Sequence, residues 1–300
     1  MTDTHTILQQ LSSQIPQNTF LISKEQFQSL QETHGKSAEE LRRLICIVTL
    51  RETISPISHF AASAVVEGES GNLYIGANIE FWGADLNNSI HAEQCGIINA
   101  LNRGEKSIIS ITTCPMPCGH CRQFLREVNG AESLRVISCS KPIGELIIND
   151  TLLNILPHSF GPPDLGSEAY ILHQNKKTFK FETPLPDHYS SEIKKAFEFA
   201  LQKIQYSHSP SSESWASVVL LAGGEFFNGL YVENAAYNPS MSPFQSSIIS
   251  LVTSGKSFAD ITAAVIIEQA TAPVQHLDNA SRILKLIAPN ATFYSHNVLC

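Results

Sequence analysis

The chain has 300 residues, 43% hydrophobic and 16% charged, with a formal net charge of −8. That is enough apolar material for one large or two modest cored domains. No run of about 20 apolar residues predicts a membrane span. No basic stripe offers a polynucleotide a track, so composition favours a small substrate and predicts neither nucleic-acid nor membrane partners. The N-terminus, Met1 to Asn18, lacks the charged and apolar blocks of a secretory signal. The seven cysteines, five of them between Cys95 and Cys139, suit a reduced cytoplasmic protein better than a disulfide framework.

In chain order, the pattern predicts a helix over Ala38 to Glu52 and strands over Ala62 to Glu67 and Asn72 to Ala77. A helix over Ile90 to Asn102, a strand over Ser107 to Thr113 and a helix over Gly119 to Val128 follow. A strand over Leu134 to Ser138 and a helix over Ile143 to Leu156 end this half. Such alternation predicts an α/β sandwich around a mainly parallel sheet. Leu156 to Asp164 is rich in turn formers, and the polar stretch that follows, to about Ser190, reads as a connection.

The second half repeats the first. A helix over Ser191 to Tyr206 precedes strands over Ser214 to Leu221 and Phe226 to Val232. Gly76-Ala77-Asn78-Ile79-Glu80 aligns with Gly229-Leu230-Tyr231-Val232-Glu233, and His91-Ala92-Glu93-Gln94 with Ser242-Pro243-Phe244-Gln245, the second copy being two residues shorter between these anchors.

The chemistry is concentrated in the first copy, at His91-Ala92-Glu93 and Pro117-Cys118-Gly119-His120-Cys121. Cys118 and Cys121, three apart, share one face of a helix, and Pro117 suits its start. One histidine and two cysteines fill three tetrahedral positions of zinc and leave the fourth for water, as in a catalytic site. A Cys-x-x-Cys pair alone also fits a redox couple or half of a structural zinc site. Glu93 argues against both, since neither has use for a carboxylate beside the histidine. This H-x-E and P-C-x-x-C arrangement is that of zinc deaminases of nucleobases. In the second copy Ser242 and Phe244 replace His91 and Glu93, and Cys300 is the only cysteine after Cys139, so that copy is predicted to be catalytically dead.

From about Thr53 to Leu299 the chain resembles cytidine deaminases of the long, two-domain type of enteric bacteria and plants. The likeness rests on Ser58-His59-Phe60, Gly76 to Glu80, His91 to Gln94, Pro117 to Phe124, Leu156 to Pro162 and Glu233 to Ser240. It implies two duplicated three-layer α/β/α domains, each with a mixed five-stranded sheet, after an N-terminal helical segment. The expected divisions are 1–50 for that segment, 51–156 for the catalytic domain, 157–190 for a linker and 191–300 for the degenerate domain.

The resemblance also implies roles. Zinc, one per chain, would be held by His91, Cys118 and Cys121, with Glu93 as the catalytic proton shuttle. Asn78 and Glu80 would hydrogen-bond the ribose, Phe60 would pack on the nucleoside, the Ala92 backbone would meet the pyrimidine carbonyl, and Phe160 would help close the pocket. Arg122 would donate hydrogen bonds to thiolate sulfur. The partners implied are a nucleoside substrate and a second copy of the chain, as a homodimer.

The predicted reaction is hydrolytic deamination of cytidine and deoxycytidine, with zinc lowering the pKa of water to supply hydroxide and Glu93 moving its proton. A tRNA or other polynucleotide deaminase, a deoxycytidylate deaminase and an inactive binding scaffold are the rival readings.

Overall fold

The computed structural model describes residues 3–171 and 177–300. Contacts divide the chain into two units, Met1–Glu80 with Leu86–Phe160, and Phe81–Asp85 with Gly161–Cys300.

The first unit opens with α1 (Thr4–Gln14), the two-residue strand β1 (Leu21–Ile22), α2 (Lys24–His34) and α3 (Ala38–Val48). Ser23 and Ser37 start α2 and α3 with capping boxes closed by Gln26 and Glu40. The helix expected to reach Glu52 ends as a 3-10 turn over Thr49–Glu52. Then come β2 (Ser63–Gly68), β3 (Leu73–Ala77), α4 (Ala92–Asn102), β4 (Ile108–Cys114), α5 (Gly119–Leu125), β5 (Arg135–Ser140), β6 (Glu145–Thr151) and α6 (Leu152–Ile155). The sheet order is β1-β3-β2-β4-β5-β6. Five of its strands form the expected mixed sheet, and β1 adds a sixth at the edge.

Two expectations are corrected here. The sheet is not mainly parallel: β2 pairs antiparallel with both β3 and β4, and only β4 and β5 run parallel. Alternating elements suggested crossovers, but β2 and β3 are joined as a hairpin. The helix expected over Ile143 to Leu156 is instead β6 followed by the four residues of α6. Its β-branched Ile147, Ile148 and Thr151 suit the pairing with β5 that closes the sheet edge.

Alternation along β2 builds the layers. Ser63 meets Thr49 of the 3-10 turn, its hydroxyl 2.6 Å away, and Glu67 pairs with Arg42 of α3 at 3.0 Å. Ala64 and Val66 face Gly96 of α4 on the other side. The approach of α4 is very close: a Cβ on Gly76 would fall 2.0 Å from the Ala92 carbonyl oxygen and 2.4 Å from the Gly96 nitrogen. Only glycine fits there, and its absence of a side chain lets β3 and the start of α4 converge.

The second unit comprises β7 (Lys180–Phe181), α7 (Ser191–Lys203), β8 (Ala216–Ala222), β9 (Glu225–Leu230), α8 (Pro243–Val252), β10 (Ile261–Glu268), α9 (Leu277–Ile287) and β11 (Thr292–Leu299). Its five strands run in the order β7-β11-β10-β8-β9, with β10 and β11 parallel. Part of the segment expected as linker, 172–176, lies outside the described residues. Farther along, Phe179, Phe181, Leu185 and Tyr189 pack on a core built around Phe197 and Trp215.

The duplication is explicit in the backbone. Bridges join Ile79 to Ile54 and Ile90 in one unit, and Val232 to His208 and Met241 in the other. A Cβ on Gly229 would fall 2.0 Å from Ser247 nitrogen and 2.2 Å from the Pro243 carbonyl, the same close approach as at Gly76. The chemistry is gone from this copy. Phe244, in the place of Glu93, is wholly buried, and His276, which begins α9 as Cys118 begins α5, packs against Tyr231 with ring centroids 4.4 Å apart and the rings tilted by 48°. Among the described residues, no helix is long and apolar enough to cross a membrane.

Candidate active site and metal centre

His91 begins α4 and Cys118 begins α5, with Cys121 one turn further on. Both helices start at the same end of the sheet, and their starts bring the three side chains together. His91 Nδ1 lies 3.6 Å from Cys118 Sγ and 3.2 Å from Cys121 Sγ, and the two sulfurs are 3.6 Å apart. Zinc with bonds of about 2.0–2.1 Å to nitrogen and 2.3 Å to sulfur separates tetrahedral ligands by roughly 3.5–3.8 Å. The set therefore fits the metal with little movement, and its two sulfurs and one imidazole are ligands zinc favours.

Electrostatics agree with this fit. Hydrogen bonds from Cys121 and His91 hold the Cys118 thiol down at about 3, the thiolate state that a metal requires. The same contact with Cys118 raises His91, while Cys121 is pushed up by its contact with Cys118 and by burial.

Gln94 and His120 support the histidine. The Gln94 side-chain oxygen accepts from the His91 amide at 3.2 Å, and its nitrogen donates to His120 Nε2 at 3.2 Å. The His120 ring stacks on His91 at 5.1 Å, inclined by 28°. His120 is thus a wall for the ligand ring.

His91 and Cys118 border a cavity of about 350 Å³, the size expected of a small-molecule site. Glu93, Ala92, Asn78, Glu80 and Phe60 line it. Glu93 is only 7% exposed, and burial raises its carboxyl above the ordinary range. Ala92 is the first residue of α4, so its N–H has no acceptor within the helix. Ser63, Ser89 and Ile90 also line the cavity and escaped sequence reasoning. Their only signal is adjacency, to the start of β2 and to His91.

Two expected contacts differ. Arg122 does not donate to sulfur: its Nε donates to the Pro117 carbonyl at 2.9 Å and Nη1 to the Ile155 carbonyl at 3.0 Å. One residue beyond Cys121 on a helix turns about 100° away from the ligand face, so the guanidinium ties α5 to α6 instead. Phe160 is 44% exposed and is not among the cavity-lining residues; its carbonyl accepts from Gln123 Nε2 at 2.7 Å.

Fold and site together define a zinc-dependent hydrolytic deaminase. Two stretches, residues 37–136 and 152–281, match the family described as cytidine and deoxycytidylate deaminase zinc-binding region. The cytidine deaminase of Vibrio cholerae is 38% identical over 89% of this chain and 86% of its own length. That of Photobacterium profundum is 37% identical over 90% and 86%. The chain belongs to the cytidine deaminase family. Among solved structures, cytidine deaminase from Burkholderia pseudomallei aligns over 40% of this chain and 97% of its own at 23% identity, with a TM-score of 0.37.

Proposed function

We propose that the protein deaminates cytidine and 2′-deoxycytidine to uridine and 2′-deoxyuridine, releasing ammonia, in pyrimidine nucleoside salvage. The observation that carries this reading is that Glu93 shares one cavity with the metal ligands His91 and Cys118 and with Phe60, Asn78 and Glu80. Zinc at His91, Cys118 and Cys121 would supply the Lewis acid that acidifies a water.

The side chains do the rest. Glu93 takes the water's proton on its carboxylate and delivers it to ring N3 as the oxygen adds to C4. It then carries the second proton, from the hydroxyl now on C4, to the amine, which leaves as ammonia as the C4–N bond breaks and the C4 carbonyl forms. Phe60 offers an apolar face to the pyrimidine, and the free N–H of Ala92 donates to its carbonyl.

The hydrogen-bond inventory supports sugar recognition. Asn78 Oδ1 accepts from Thr53 and Ala62, and one hydrogen of its Nδ2 goes to the Phe60 carbonyl. Glu80 accepts three bonds, from the Ile57 and Ser58 amides and the Ser58 hydroxyl. One amide hydrogen and one carboxylate lone pair remain, the donor and acceptor that a single sugar hydroxyl needs.

The same reading makes the chain a cytoplasmic homodimer, supported by seven free thiols and by a second unit that keeps its core without its ligands. Sedimentation at assay concentration tests the dimer. For the chemistry, Glu93→Ala is expected to retain zinc and lose at least about 10³-fold in kcat; turnover near the wild-type rate would refute the role of Glu93.

A further inference from the structure

We propose that Ser58 is a positioning residue of this site, latching the loop 55–60 to Glu80 and thereby setting Phe60 at the cavity. The inference rests on the nucleoside reading for its catalytic consequence, and on geometry for the latch itself.

The loop has few other anchors. His59 sits at φ 54°, a left-handed turn, with its amide on the Ser55 carbonyl at 3.0 Å. Beyond that turn the Ser58 hydroxyl acts twice: it donates to Glu80 Oε1 and accepts from the Phe60 amide at 3.0 Å. The Ile57 and Ser58 amides donate to Glu80 Oε2 at 2.9 and 3.0 Å. At the other end of Phe60, Asn78 Nδ2 donates to its carbonyl at 2.9 Å. Both backbone groups of Phe60 are thus fixed by this pair of bonds, while the residue as a whole remains 53% exposed. Burial works against ionisation of Glu80, but its bonds to Ser58 and Ile57 outweigh it and hold the carboxyl below its ordinary value.

The second unit supplies an internal control. Counted from the bridge residues Ile54 and His208, Ile57 and Ser58 correspond to Ser211 and Ser212. Both amides and both hydroxyls of Ser211 and Ser212 donate to Glu233, the counterpart of Glu80. Here the metal ligands are absent and Tyr231 has replaced Asn78, yet the latch persists around a carboxylate that is 1% exposed. A contact kept where there is no chemistry is a device of the fold. In the first unit its effect on the reaction comes through the residue the loop carries, Phe60.

Hydrogen exchange and kinetics on the zinc-loaded protein test this together. Ser58→Ala should speed exchange of the Ile57 and Phe60 amides and raise KM for cytidine about tenfold, with kcat within about twofold, because ordering the loop is then left to binding. Ser58→Thr should restore both values. Ser212→Ala should loosen only its own loop and leave KM unchanged. Unchanged exchange at 57–60 in Ser58→Ala overturns the latch. Faster exchange with an unchanged KM, while Glu80→Gln raises KM, overturns its role in positioning and leaves Glu80 acting on the sugar alone. A wild-type protein inert on cytidine refutes the nucleoside reading, and exchange still decides the latch.

Discussion

Ser242 begins α8 where His91 begins α4, and the two side chains serve their helices differently. Ser242 Oγ accepts from the Gln245 amide at 3.2 Å, and Gln245 in turn accepts from the Ser242 amide at 2.9 Å. His91 keeps only the second half of that box, its amide on Gln94, because its ring faces the cysteine sulfurs. The ligand therefore occupies a position where a helix prefers a short hydroxyl. Ser242→Ala should cost about 1 kcal/mol of stability. His91→Ser should abolish zinc binding, yet with metal chelated it should unfold no earlier than wild type. A metal-free His91→Ser protein markedly less stable than metal-free wild type would contradict this.

The stack of His120 on His91 predicts an effect on metal affinity. Groups that orient a ligand are typically worth 10–100-fold in binding. His120→Ala removes the ring and the acceptor of the Gln94 amide, so the zinc dissociation constant should rise by about that factor in chelator competition. Unchanged affinity would show that Gln94 and the helix start orient His91 without help.

His276 gives the second unit a pH dependence. Its burial against Tyr231 pushes the imidazole pKa down to about 4, from 6.5. The folded state therefore binds fewer protons than the unfolded state between these values. Stability is full above pH 6.5 and falls as pH drops towards 4, by at most about 3 kcal/mol from this group. His276→Leu should flatten that part of the unfolding profile measured by denaturant titration. An equally steep fall in the variant would place its origin elsewhere.

Local motifs carried most of the site. His91, Glu93, Cys118 and Cys121 lie on two short segments whose spacing expresses the metal's own geometry, so they were legible from residues alone. The Gly76–Gly229 correspondence marked the duplication because close helix approach leaves no alternative residue. What sequence did not reveal depends on long-range partners. Residues 145–151 became a strand because β5 offered an edge. Arg122 found carbonyls, since its direction follows from helical phase. The latch between Ser58 and Glu80 joins residues far apart in the chain, and only the repeat of the same bonds around Glu233 shows it to be architectural.

The most direct test is turnover by the zinc-loaded protein on cytidine, followed as loss of pyrimidine absorbance, with cytidine 5′-monophosphate in parallel. Fast loss with cytidine and little with the monophosphate is the predicted result. Preference for the monophosphate, or no turnover of either while each chain holds one zinc, would contradict the nucleoside assignment and leave only the fold and metal site standing.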